Sequence, residues 1–186
     1  EEDHFSERVW RLPESYLCFS PPQDSPEVCE LPAIQNGHLT FGCFNRLNKI
    51  SNAAIEQWCQ LLQALPDSKL FLKTHQLSDP DITHATMSRF ALHGIEIDRL
   101  ILEGRSPRRE MLEAYNRVDI ALDTFPYSGG TTSAESLWMG VPVVMMRGDN
   151  FVSHIGESIA LNANLADWIV EDNQTYTSKI FNLAKD

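Results

Sequence analysis

Residues 118–132 read VDIALDTFPYSGGTT, an apolar run followed by a turn with two glycines and two threonines. The run at 118–122 predicts a strand that is apolar on both faces, which is typical of a parallel sheet covered by helices. Residues 132–139 predict a helix that ends at Gly140, and the apolar residues 141–146 predict the next strand. Strand, loop, helix and strand therefore follow one another in the order of a parallel βαβ unit.

The same alternation continues on both sides of this stretch. Further strands are predicted at 39–44, 69–73 and 99–102, with a short segment at 168–170. Further helices are predicted from Ser51 to residue 65, at 79–93, 106–115 and 152–162, and from Asp172 onward. Strands that alternate with helices across short loops predict an α/β fold, a Rossmann-like parallel sheet with helices on both faces.

The first 38 residues differ in composition from the rest of the chain. They are rich in serine, acidic residues and proline, and the prolines are Pro13, Pro21, Pro22, Pro26 and Pro32. Proline interrupts helices and strands, and the isolated aromatic residues of this region favour an extended arm that lies on a neighbouring surface. We therefore predict an arm at 1–38 and one lobe at 39–186.

Composition excludes several classes of protein. The 186 residues include 15 Lys+Arg and 26 Asp+Glu, a formal net charge of −11, which argues against nucleic acid or an anionic membrane as the main partner. No apolar run is long enough to span a membrane, and no signal-peptide pattern opens the chain. Four cysteines without C-x-x-C spacing predict reduced thiols in a cytoplasmic protein. The tryptophans in apolar surroundings are predicted to be core residues: Trp58, Trp138 and Trp168.

The turn after the strand at 118–122 is the first candidate site, because ligands of parallel sheets bind beyond the carboxyl ends of the strands. Gly129 and Gly130 allow the backbone to approach a ligand closely. Thr131 and Thr132 follow at a helix start, where free N–H groups and the helix dipole favour an anion, and Glu135 comes next as a candidate for ribose hydroxyls. The alternative is an ordinary helix N-cap with Glu135 as its capping-box partner.

Cations follow other predicted strands and point to the same edge of the sheet. Asn45, Arg46 and Lys49 follow the first strand, and Lys49 can reach a diphosphate as a point charge. Residues 104–109 contain three arginines, and residues 73–75 are a weaker candidate. Each alone is also compatible with a solvated loop. Together they predict a nucleotide-diphosphate site that needs no metal, although residues 79–81 also match a metal-binding D-x-D or a helix start.

Three segments carry a family resemblance: 44–50 (FNRLNKI), 118–132 and 135–144 (ESLWMGVPVV). The chain resembles the carboxyl-terminal catalytic lobe of bacterial O-linked N-acetylglucosamine transferases, the SPINDLY-like family with tetratricopeptide repeats. The resemblance implies a GT-B glycosyltransferase in which two Rossmann-like lobes clamp UDP-N-acetylglucosamine and pass the sugar to Ser or Thr of a protein. It implies no cofactor and no metal.

The resemblance also implies roles for single residues. Lys49 matches the lysine that contacts the diphosphate and stabilises the departing UDP. Thr131 and Thr132 match threonines at the phosphates, and Glu135 matches the carboxylate that binds ribose. Ser106 and Arg108 match the loop that holds uracil, and Arg46 matches a position near the sugar nucleotide. Met111 and His154 depart from the family, because relatives often have a His and an Arg at these positions.

The resemblance implies partners that lie outside this sequence. They are an acceptor protein or peptide, an amino-terminal lobe and helical repeats of the same polypeptide, so residues 39–186 are expected to be a lobe truncated at its carboxyl end. The fragment alone is then expected to bind UDP weakly and not to transfer sugar. The alternatives are another GT-B-like UDP-sugar enzyme of epimerase type, or an interaction module without catalysis.

Overall fold

The computed structural model describes residues 2–185. Its centre is one parallel sheet with the strands β1 Thr40–Cys43, β2 Lys69–Lys73, β3 Leu100–Glu103, β4 Ile120–Leu122, β5 Val143–Met146 and β6 Ile169–Val170. The strand order is β3-β2-β1-β4-β5-β6, and every described pairing is parallel. The predicted Rossmann-like sheet is confirmed, because its order runs outward in both directions from the neighbours β1 and β4.

Seven helices of the described chain cover the sheet: α1 Pro32–Asn36, α2 Asn52–Ala64, α3 Pro80–Ala91, α4 Arg108–Glu113, α5 Thr131–Trp138, α6 Ile155–Asn162 and α7 Asn173–Leu183. Short 3-10 turns lie before and between them, at Glu2–His4, Leu47–Lys49, His75–Ser78, Ile97–Arg99, Ala114–Arg117, Phe151–Ser153 and Ala166–Trp168. Ser51 caps α2 by accepting the N–H of Ala54, as its sequence predicts. No helix among residues 2–185 has the length and apolar character needed to cross a membrane.

The apolar residues form one cluster on each face of the sheet. The cluster under α2 and α7 contains Trp58 and Tyr176, and the cluster under α4 to α6 contains Phe71 and Met139. The prediction of a buried Trp58 is therefore confirmed. The prediction for Trp138 is wrong, because its side chain is 41% exposed at the end of α5 and its indole N–H donates to Ser25 Oγ.

Residues 2–31 lie on the surface of the lobe without long regular elements. The ring of Tyr16 packs against Phe151, and Ser15 hydrogen-bonds Ser158 at the edge of α6. Further along, Asp119 joins α1 to the sheet, since its two carboxylate oxygens accept the N–H groups of Ala33 and Thr40. The boundary predicted at residue 38 stays a prediction.

Candidate functional site

A cavity of about 530 Å³ opens at the carboxyl ends of β1 to β4. Its position is the one that the strand order predicts, since β1 and β4 flank the point where the order reverses. The loop after each of these four strands contributes to the wall, and the arm adds two residues. The lining residues are Tyr16, Leu17, Phe44, Asn45, Arg46, Lys49, Lys73, Thr74, His75, Gly104, Arg105, Ser106, Met111, Tyr127, Gly130, Thr131, Thr132 and Ile155.

The loop between β4 and α5 is held from behind by the carboxyl group of Asp123. Its Oδ1 accepts the N–H groups of Thr124 at 2.8 Å and Gly129 at 2.6 Å, and the Asn45 amide donates to it at 3.3 Å. Burial raises the pKa of Asp123 to about 6, although these donors and the charge of Lys49 act in the opposite direction. The backbone at Gly129 approaches so closely that a Cβ there would lie 2.9 Å from Asp123 Oδ1.

The start of α5 is tied to the end of β1. The Thr132 hydroxyl donates to Asn45 Oδ1 at 2.6 Å, and the Tyr115 hydroxyl donates to the Thr132 carbonyl at 3.0 Å. Gly130 precedes the helix, and no side chain caps it. The N–H groups of the first turn of a helix have no partners within the helix, and the positive end of the helix dipole lies there. The alternative prediction of a threonine N-cap is therefore wrong.

Lys49, which follows β1, contacts the loop between β4 and α5. Its Nζ donates to the carbonyl of Ser128 at 2.9 Å and is 3.8 Å from the ring centroid of Tyr127. Burial lowers the pKa of Lys49, the nearby Arg46 charge acts in the same direction, and Asp123 opposes both. The structure thus brings an ammonium group and the start of α5 to one cavity, an arrangement that favours an anionic group.

The wall of the cavity near β3 contains a hydroxyl group and an ammonium group that differ in how they are paired. The Ser106 hydroxyl oxygen is buried and has no hydrogen-bond partner among the described residues, although the residue lines the cavity. Lys73 also lines the cavity, but its Nζ forms an ion pair with Glu103 at 3.0 Å. Ser106 is therefore a free hydrogen-bonding group in this wall, whereas the charge of Lys73 is compensated.

Three of the predicted site residues lie outside the cavity wall. Gly129 is behind it, hydrogen-bonded to Asp123. Arg108 and Glu135 form an ion pair with Nη1 2.6 Å from Oε1, and Glu135 is only 2% exposed. Burial raises the pKa of Glu135, and Arg108 opposes that shift. The other predicted residues line the cavity together, and they are Asn45, Arg46, Lys49, Ser106, Gly130, Thr131 and Thr132. The binding roles of all ten stay predictions.

Sequence reasoning missed three contributors. Asp123 carries a signal, because it is a carboxylate directly after a buried strand and before a glycine-containing turn. Tyr127 belongs to the same motif, but its position beside Lys49 depends on how the loop folds back. Tyr16 reaches the cavity from the arm, and nothing in its sequence neighbourhood predicts that contact.

Metal ligation finds no support in the described part of the chain. No three side chains of His, Cys, Asp or Glu cluster there with a geometry that could hold an ion. Asp79 of the D-x-D segment is the N-cap of α3, and its side chain accepts the N–H of Asp81. His154 Nδ1 lies 2.5 Å from Glu157 Oε2 on the first turn of α6. The four cysteines are free thiols.

Comparison with known proteins gives a consistent result. A family model described as glycosyl transferase family 41 matches residues 30–186. The chain is 39% identical over its whole length to a probable UDP-N-acetylglucosamine–peptide N-acetylglucosaminyltransferase SPINDLY of Oryza sativa. It spans 20% of the length of that protein and of the similar proteins from barley and tomato.

Solved structures are similar as well. A mutant O-GlcNAc transferase of Thermobaculum terrenum superimposes with a TM-score of 0.93 at 36% identity, over 100% of this chain and 35% of that one. A putative UDP-N-acetylglucosamine 2-epimerase of Listeria monocytogenes gives a TM-score of 0.53 at 16% identity, over 88% of this chain and 41% of that one. The second likeness concerns the fold alone.

Proposed function

The chain belongs to glycosyl transferase family 41, and from this we propose that it is the nucleotide-sugar-binding lobe of a protein O-N-acetylglucosaminyltransferase. The reaction moves N-acetylglucosamine from UDP-N-acetylglucosamine to a Ser or Thr hydroxyl of a protein. The relatives in rice, barley and tomato carry names for this activity. The cavity at the carboxyl ends of β1 to β4 is the donor site.

One observation carries the proposal: Lys49 and the start of α5 line a single cavity in a chain with net charge −11. The diphosphate lies between the Lys49 ammonium and the N–H groups of Thr131 and Thr132. As the bond to the sugar breaks, negative charge grows on the leaving UDP. A cation and helix N–H groups that are already in place stabilise that charge without rearranging, which lowers the barrier.

The neighbouring wall takes the nucleoside. The Ser106 hydroxyl is unpaired in the cavity and is suited to a polar edge of the base, and Met111 offers an apolar contact for its face. Arg108 and Glu135 form an ion pair with each other. Because Glu135 is buried and does not line the cavity, its contact with ribose requires a side-chain movement when the nucleotide binds.

The transferase needs more than this lobe. The chain spans a fifth of the length of its relatives, and the cavity supplies groups for the donor. In a GT-B enzyme the acceptor protein approaches from the opposing lobe, which together with helical repeats belongs to the rest of the polypeptide. The 186-residue chain is expected to bind UDP and its sugar conjugate without transferring the sugar.

Calorimetry with the 186-residue chain tests the donor site. We expect UDP and UDP-N-acetylglucosamine to bind more tightly than GDP or ADP. We expect Lys49→Ala to weaken binding about tenfold or more, because one charge-assisted contact contributes roughly 1.5–3 kcal/mol. Thr132→Ala should also weaken binding, because it removes the hydroxyl that ties the start of α5 to Asn45. Lys69→Ala is the matched control, since Lys69 begins β2 at the opposite edge of the sheet.

The outcomes separate the alternatives. Binding that neither variant weakens places the site elsewhere. A preference for another nucleotide keeps the site and refutes the proposed donor. Absence of nucleotide binding refutes the donor site and favours the interaction module.

A further inference from the structure

The carboxyl group of Asp123 uses its two oxygens differently. Oδ1 accepts three hydrogen bonds, from the N–H groups of Thr124 and Gly129 and from the Asn45 amide. Oδ2 is buried and has no hydrogen-bond partner among the described residues. The first turn of α6 covers it so closely that a Cβ at Gly156 would lie 2.9 Å from Oδ2. A buried carboxylate oxygen without a donor is costly when charged, and a proton on that oxygen lowers the cost because a neutral polar group is less expensive to bury than a charge.

Asp123 lies directly behind the proposed diphosphate site. It is one hydrogen bond from Gly129 and, through the Asn45 amide, two hydrogen bonds from the Thr132 hydroxyl. Lys49 is the charged group that favours its ionised form. A ligand that engages Lys49 therefore acts on the carboxyl group as well.

Other titratable groups face Asp123 from the elements packed around it. Cys43 of β1, Tyr115 after α4 and Tyr176 of α7 are neutral near pH 7, because burial raises the pKa of each, that of Cys43 to about 12. On α5 the Glu135 carboxylate is paired with Arg108, and at the start of α6 His154 is paired with Glu157. These groups do not replace Lys49 as the counter-charge of Asp123.

We propose that Asp123 takes up a proton from solvent when a nucleotide diphosphate binds, so that it is ionised in the free protein and neutral in the complex. The inference rests on the proposed function, since it requires a diphosphate at Lys49 and the start of α5. The proton goes to Oδ2. Oδ1 keeps its lone pairs, so the N–H groups of Thr124 and Gly129 stay bound and the loop keeps its shape.

Two effects of the ligand act in the same direction. The diphosphate brings negative charge in front of the loop, and it engages the Lys49 ammonium that otherwise favours the ionised carboxyl. Both raise the pKa of Asp123 above its value in the free protein, which burial has already raised to about 6. Because coupling between two ligands is reciprocal, the proton must strengthen diphosphate binding by the same factor.

The test is calorimetry of UDP-N-acetylglucosamine binding to the 186-residue chain in two buffers with different ionisation enthalpies. This ligand is suitable because its diphosphate is a diester without a proton that titrates near neutral pH. We expect uptake of about 0.5–1 proton per bound ligand near pH 7 and an affinity about tenfold higher at pH 6 than at pH 8.

Two variants assign the proton. Asp123→Asn cannot titrate, and we expect its proton uptake to vanish and its affinity to vary less with pH. His75→Gln is the control, because His75 is an imidazole side chain that lines the same cavity. Uptake that persists in Asp123→Asn and disappears in His75→Gln refutes the proposal.

A measurement on the unchanged chain covers the case in which Asp123→Asn does not fold. The carboxyl carbon resonance of Asp123 should titrate with a midpoint about 1.5 pH units higher when UDP-N-acetylglucosamine is bound. Binding without proton uptake and with an unchanged midpoint refutes the role of Asp123 and leaves the proposed function intact. Absence of binding refutes both.

Discussion

The Arg108 guanidinium and the Glu135 carboxylate form an ion pair, with Nη1 2.6 Å from Oε1. Glu135 is on α5 with 2% exposure, whereas Arg108 begins α4 on the surface. A carboxylate so close to the helix start would oppose an anion there if it were uncompensated. The arginine cancels that charge, so the two residues belong to the electrostatics of the proposed donor site even though neither lines the cavity.

Arg108→Ala should lower the free energy of unfolding by about 1–3 kcal/mol, because it leaves the buried Glu135 without its partner. The loss should be smaller at acidic pH. The pKa of folded Glu135 is already raised and rises further without Arg108, so a falling pH protonates it in the folded state and removes the penalty. Urea unfolding at two pH values measures this.

Arg109→Ala, which changes a neighbouring exposed arginine, is the control and should change stability by less than about 0.5 kcal/mol. Equal losses at both pH values would contradict the assignment.

Asp123 should make stability depend on pH. The pKa of Asp123 is about 6 in the folded chain, whereas an ordinary aspartate, as in the unfolded chain, has a pKa of 3.8. The folded state therefore binds the proton more tightly. The contribution of Asp123 to stability is therefore largest below about pH 4 and falls by about 3 kcal/mol as pH rises through about 6. The difference between wild type and Asp123→Asn in urea unfolding across this range isolates the contribution.

Asp172 offers a control of opposite sign for that measurement. Hydrogen bonds from Thr175 lower the pKa of the Asp172 carboxyl. Its contribution to stability is therefore present at neutral pH and is lost as the pH falls. Asp172→Asn should flatten the acid side of the profile and leave the step near pH 6 unchanged.

Gly129→Ala should weaken nucleotide binding and lower stability by about 1–3 kcal/mol, since overpacking forces the loop to shift. The new Cβ would collide with Ser133 Oγ and lie 2.9 Å from Asp123 Oδ1. Adding Ser133→Ala removes the first of these contacts and should restore part of both losses. Denaturation and calorimetry on the single and double variants measure the recovery. A Gly129→Ala chain with unchanged affinity would show that the loop tolerates the shift.

Asp119→Asn should detach α1 from the sheet. Both carboxylate oxygens accept backbone N–H groups, of Ala33 and Thr40, each at 2.7 Å. An amide replaces one acceptor by a donor that faces another donor, which costs about 1–3 kcal/mol. Amide hydrogen exchange should quicken at Ala33 and Thr40, while Asp149→Asn, an exposed change, leaves both rates as they were. Unchanged protection in Asp119→Asn would contradict the anchoring role.

The sequence predicted the strands well because apolar runs and turn residues act locally. The run at 141–146 became β5 at Val143–Met146, and Ser51 caps α2 as expected. The fourth strand is shorter than predicted, Ile120–Leu122, since Val118 precedes the ladder and packs against the sheet face. The prediction that Trp138 is a core residue was wrong. Its neighbours in sequence are apolar, but at the end of α5 its side chain faces the arm and solvent.

By itself the sequence determined the fold class, the family and the edge of the sheet that carries the site. Those follow from hydrophobic periodicity, the order of elements and a long motif, all of which are local or sequential. Only the tertiary structure decided that Lys49 lies beside Tyr127, that Arg108 pairs with Glu135, and that one oxygen of Asp123 has no hydrogen-bond partner among residues 2–185. The reason is that side-chain contacts and the burial of polar groups depend on which segments, distant in sequence, pack together in the folded chain. A local sequence pattern does not specify that packing.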